Sequence, residues 1–157
     1  MKTTLALIGT LFILTSCAQH PTKYIVTKGP LICNTEEVCP ELSFRWLEQS
    51  REGFKISADI ASSQPYEIKQ FEFLVDGQPY LYSTIEPTQH SIKNQQQLSS
   101  NSIHVPVSFL NSFRDGKQID LKLVTDQGDI QRPILKENGE KSSAFLTFLK
   151  GYITPNH

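Results

Sequence analysis

The feature that most constrains the fold is a pair of strict two-residue alternations separated by a short polar stretch. Phe44 and Trp46 flank Arg45, and after residues 48–53 the residues Phe54, Ile56, Ala58 and Ile60 alternate with Lys55, Ser57 and Asp59. Successive side chains of an extended strand point to opposite faces, so such a pattern buries one face and wets the other. The turn-sized gap between the two runs makes them an antiparallel hairpin. A third strand is expected over residues 66–75, where the apolar phase shifts between Ile68 and Phe71, the signature of a bulge. Asp76-Gly77 then forms a hairpin turn of the favoured kind, and residues 80–85 return as a fourth strand. Residues 93–102 are polar, with Leu98 their one large apolar side chain, and are expected to form a mobile loop.

The last third of the chain changes period. Pro106 stands where a first helical turn tolerates it, and Val107, Leu110 and Phe113 follow at helical spacing up to Asp115-Gly116. Ile119, Leu121 and Leu123 alternate again, Asp126-Gln127-Gly128 turns the chain, and residues 130–135 return. A final helix starts with Ser142 or Ser143 as N-cap, carries Phe145, Leu146, Phe148 and Leu149, and ends at Lys150-Gly151. The expectation is an α+β fold, mainly antiparallel β as a sandwich or curved sheet, with two short helices near the C-terminus.

The N-terminus carries a different signal. Met1-Lys2 is followed by an apolar run over residues 5–14, which breaks off at Thr15 and Ser16 before polar Gln19 and His20. A membrane span needs about 20 apolar residues, so this is a signal-peptide profile and not a permanent span. Leu14-Thr15-Ser16-Cys17 resembles the bacterial lipoprotein lipobox: one aliphatic residue, two small ones and the cysteine that takes the lipid. The resemblance implies cleavage before Cys17 and acylation of its thiol, so that residues 1–16 are removed. Behind it, the mix of Pro, Thr, Lys and Gly reads as a lipidated N-terminus and linker over 17–31, and the remaining length fits a single globular domain over 32–157. In that family an Asp after the lipidated cysteine tends to retain the protein in the inner membrane. Ala18 occupies the position here, which favours the outer membrane. Two or more acyl chains give stable attachment where one gives only marginal binding.

Cleavage there deletes one cation, Lys2, leaving 14 basic against 16 acidic side chains. With no basic run to track phosphates, nucleic acid is not an expected partner. The expected partners are the membrane, through the lipid on Cys17, and another envelope protein. With Cys17 acylated, Cys33 and Cys39 remain. In an exported chain such a pair is read as a disulfide, and closing its seven-residue loop is worth about 2 kcal/mol in the chain-entropy model.

No catalytic constellation emerges. His20, His90, His104 and His157 are dispersed without metal-ligand spacing; His90 is expected in a loop and His104 facing solvent. Gly-x-Ser-x-Gly, Ser-x-x-Lys and phosphate-cradling glycine loops do not occur, and no cofactor or metal is expected. Tyr80 and Tyr82 share one face of the fourth strand, while Leu81, Ser83 and Ile85 share the other. If the leucine side is core, the tyrosines form an exposed platform for sugar or protein contacts; otherwise they cover the sheet or pack under a helix. The chain therefore reads as a non-enzymatic, lipid-anchored envelope protein that binds a partner or supports an assembly. The alternatives are a glycan or small-ligand module, or a hydrolase of envelope polymers.

Overall fold

The computed structural model describes residues 22–153. The lipobox, with Cys17, and also His20 and His157 lie outside that range. The alternation around Phe44 and Trp46 becomes strand β2 (Glu41–Leu47), and that around Ile56 becomes β3 (Lys55–Ser62). They pair antiparallel with Phe44 opposite Ile56, which puts Leu42, Phe44, Trp46, Ile56, Ala58 and Ile60 on one fully buried face. Strand β1 (Tyr24–Pro30) flanks β2, so the expected linker gives way to sheet at Tyr24.

Strand β4 (Ile68–Val75) and β5 (Gln78–Ser83) form the hairpin turned by Asp76-Gly77, both at positive φ (49° and 84°). The predicted bulge is present as a register shift between Ile68 and Gln70 against the neighbouring strand. That neighbour is β8 (Ile119–Thr125), which pairs onward with β9 (Ile130–Leu135). Between the two hairpins the chain forms β6 (Gln89–Lys93) and β7 (Gln96–His104).

This last pair corrects the expectation of a mobile loop over 93–102. Asn94 and Gln95 take the left-handed conformation (φ 51° and 66°) that a two-residue hairpin turn requires, and β7 pairs on both sides, with β3 and with β6. Low apolar content misled the reading because the buried face of β7 is filled by Ser99, Asn101 and Ile103, two of which satisfy their polar atoms inside the fold.

Two antiparallel sheets result, one ordered β1-β2-β3-β7-β6 and the other β5-β4-β8-β9. Helix α1 (Val107–Asp115) fills the space between their inner faces. Phe109 packs on Phe73 at 5.0 Å, and Phe113 touches both Phe44 (5.5 Å) and Phe73 (6.0 Å), one from each sheet. Of the predicted helical stripe, Leu110 and Phe113 are buried but Val107 is 41% exposed; Phe109 takes its place.

Helix α2 (Ser143–Ile153) lies against β1 and runs two residues past the expected end at Gly151. Ser142 caps it by accepting the Phe145 N–H at 3.2 Å. Phe148 meets Phe44 at 4.8 Å and Tyr152 stacks on Phe148, which carries the aromatic core out to Trp46 and Phe54. The close approach needs glycine: a Cβ on Gly29 would lie 2.7 Å from the backbone of Ser143 and Ala144. Among the described residues no helix is long and apolar enough to cross a membrane.

The Cys33–Cys39 disulfide forms, with a Cα separation of 5.7 Å, in the connection between β1 and β2. That connection is fastened to β9: Ile32 N–H donates to the Pro133 carbonyl, and the Arg132 guanidinium donates to the Val38 carbonyl and sits 3.5 Å from the Glu37 carboxylate.

Candidate functional site

The chemistry gathers at one end of the sandwich, where the connection from β3 to β4 passes between β6, the start of β7 and the turn joining β8 to β9. A polar clamp sets the spacing of the two sheets there. The Asn101 amide, buried on β7, donates to the carbonyls of Ile68 and Glu86, each at 3.0 Å, and to the Thr88 hydroxyl at 3.2 Å. Thr88 Oγ1 in turn accepts the Ile68 N–H at 2.8 Å. Asn101 and Thr88 together thus satisfy the carbonyl and the N–H of Ile68 at the bulged start of β4, where the strand ladder is interrupted.

Beyond the clamp lies a cleft of about 350 Å³ lined by Pro65, Tyr66, Glu67, His90, Gln97, Asp126 and Gln127, together with Gln64. Its backbone is held rigidly. Tyr66 N–H donates to Ser99 Oγ at 2.8 Å, Glu67 N–H donates to Asp126 Oδ1 at 2.8 Å, and Asp126 N–H returns to the Glu67 carbonyl at 3.2 Å. Donation by the Glu67 N–H holds the Asp126 carboxyl below the usual carboxylate range.

A Ser-His-Glu chain runs along the cleft. Ser99 Oγ lies 3.3 Å from His90 Nδ1, and His90 Nε2 lies 2.7 Å from Glu67 Oε1. A carboxylate only accepts, so the 2.7 Å contact to Glu67 calls for a proton on Nε2; in neutral His90 that leaves Nδ1 as the acceptor of the Ser99 hydroxyl. The order resembles a nucleophilic triad, but Ser99 has no exposed surface and its oxygen already accepts the Tyr66 N–H. A hydroxyl so enclosed cannot reach a substrate carbonyl, so the chain orients His90 and Glu67 instead of activating a nucleophile.

The other residues singled out from the sequence are placed as follows. His90 lies on strand β6 and not in a loop, whereas His104, at the end of β7, is exposed as expected. Tyr80 and Tyr82 do not form an open platform: they are half-buried against Phe109, at 5.1 and 5.4 Å between ring centroids. Burial also pushes the Tyr82 phenol above its ordinary value. Leu81 and Leu74, on the outer side of the β4–β5 hairpin, are the exposed residues (57% and 41%), because β5 needs its aromatic side to cover α1. Among the described residues no three His, Cys, Asp or Glu side chains gather as a metal-binding set.

Glu67, Gln97, Ser99 and Asp126 were missed by sequence reasoning. They come from three different segments, Gln97 and Ser99 sharing β7, and no local spacing announces them; only the Asp126-Gln127-Gly128 turn was visible. No protein-family model matches this sequence, and no curated protein or solved structure shows a significant similarity to it.

Proposed function

We propose that the protein is a lipid-anchored component of a bacterial cell envelope, held at the outer membrane through Cys17, and that it acts as a non-enzymatic binding or assembly module. The observation that carries this reading is the short distance in sequence between the lipobox cysteine and the first strand. Tyr24 opens β1 seven residues after Cys17, a reach of about 25 Å at full extension. A domain on so short a leash works at the lipid surface.

The end at which the chain enters supports the same reading. Lys23 and Tyr24 sit beside Leu47 and Glu48, and around them lie Arg45, Arg51, Lys55 and Lys150, an excess of cations on a chain that is otherwise net acidic. Arg45 lies over the Tyr24 ring at 3.8 Å and Arg51 over the Tyr152 ring at 5.0 Å, so both guanidinium groups are held at this surface. A basic, tyrosine-bearing end suits anionic headgroups. Binding rather than hydrolysis is favoured by the enclosed Ser99 hydroxyl and by the low proton affinity of Asp126, which makes it a poor general acid.

For a protein partner, the outer side of β4 and β5 offers Leu74, Pro79 and Leu81 with Glu72 and Lys122 beside them, an apolar strip rimmed by charge. A photo-crosslinking residue at position 81 should capture one discrete envelope protein in living cells, and the same residue at position 137, in the β9–α2 connection, should not. Equal, diffuse labelling from both positions would remove the protein-binding reading.

A further inference from the structure

We propose that the cleft beside His90 binds a neutral saccharide. The inference stands on the cleft alone and does not require the anchor. The first argument is position. Strand β3 starts at Lys55, beside Arg45 at the end where the chain enters, and finishes at Ser62, opposite Gln97 at the cleft. Eight strand residues separate the two by roughly 23 Å, so the cleft opens at the end of the five-stranded sheet remote from chain entry.

The second argument is the chemistry of the walls. Gln64, Gln97 and Gln127 each offer a carbonyl acceptor and an NH₂ donor, the paired functions that hydroxyl groups satisfy. The half-buried Tyr66 supplies a ring face for the C–H face of a pyranose. Polyanions are disfavoured by Glu67 and Asp126. Glu67 Oε1 is engaged by His90 and Asp126 Oδ1 by the Glu67 N–H, while Asp126 Oδ2 accepts from Gln127 Nε2 at 3.4 Å, so both carboxylates are held in place with acceptor capacity left for sugar hydroxyls. The walls thus combine bidirectional amide groups and carboxylate acceptors around an aromatic ring, in a volume of about 350 Å³, within the range of small-ligand sites.

The third argument is preorganisation. The backbone of Tyr66 and Glu67 is fixed by Ser99 and Asp126, and that of Gln127 by the Thr125 hydroxyl at 3.1 Å. Groups ordered before binding lose little entropy when a ligand arrives. The Ser99-His90-Glu67 chain thereby acquires a purpose, holding a carboxylate and an imidazole in place along the cleft without performing chemistry.

The test is a titration of the full-length protein, purified from the envelope in detergent, followed by amide chemical shifts. The probes are malto-, cello- and chito-oligosaccharides of two to six units, with trilysine and inorganic phosphate as charged controls. At least one oligosaccharide series should give saturable shifts at residues 64–67, 97 and 126–127 and none at Leu81. Gln127→Ala, an exposed change that leaves the core alone, should weaken that binding at least three-fold, and Tyr66→Ala at least ten-fold. No saturable shift from any sugar, or shifts in the cleft with trilysine or phosphate in place of sugar, would overturn the assignment. So would wild-type affinity in a correctly folded Gln127→Ala protein.

Discussion

Asn101 shows how much of this fold rests on single polar side chains. Its amide nitrogen reaches three acceptors, tying β7 to the start of β4 at Ile68 and to the β5–β6 connection at Glu86 and Thr88, yet in the sequence it is one more polar residue in a polar run. Two aspartates act in a comparable way at turns. Asp76 Oδ1 accepts the N–H groups of Lys117 and Gln118, both at 2.8 Å, and Asp126 accepts that of Glu67. In each case these backbone donors hold the carboxyl below its ordinary value. A carboxyl depressed in the folded state contributes stability above its unfolded pKa of about 3.9 and loses it as pH falls through the folded value. The urea midpoint should therefore be nearly flat from about pH 7 to pH 5 and drop below about pH 4. Asp76→Asn should make that drop shallower, and an unchanged slope in Asp76→Asn would show that the two N–H contacts carry no linked stability.

The elements differ in how openly the sequence announces them. Strands β2, β3 and β8 were legible because one face is apolar at every second position, and the Asp76-Gly77 hairpin because its turn chemistry is explicit. The bulge at the start of β4 was legible too, from its phase shift. Hairpin β6–β7 was not, because its inner face uses Ser99 and Asn101 and its turn uses Asn94-Gln95, a pair with the right conformation but without glycine. Helix α1 was placed correctly, yet which face it buries is decided by Phe73, Tyr80 and Tyr82 across the sandwich, so Phe109 displaced Val107 from the expected stripe. Gln95 in the left-handed region is strained where glycine is not. Gln95→Gly should raise stability by about 0.5–1 kcal/mol in denaturant unfolding, with an unchanged slope. A loss of stability would mean that the turn is not of the type described.

At the scale of the whole molecule, the sandwich separates two ends with different chemistry. One is where the chain enters β1 and carries Lys23, Arg45, Arg51 and Lys55; the other carries the His90 cleft. The second end was illegible in the sequence because its residues are brought together from segments about sixty positions apart by the clamp on Ile68. The tyrosine platform failed for a related reason: periodicity tells which residues share a face, and only packing tells which face is covered. The signal proposed to precede the first end is read from consecutive residues alone, as one addressed to processing enzymes has to be. The proposed attachment at the membrane depends most on that signal, so intact-mass measurement of the protein purified from membranes is the most direct test. A chain beginning at Cys17 with the added mass of two or three acyl chains, and loss of the protein from the membrane fraction in Cys17→Ser, is the result predicted. A mature protein with an unmodified Cys17, or one retaining residues 1–16, would contradict it.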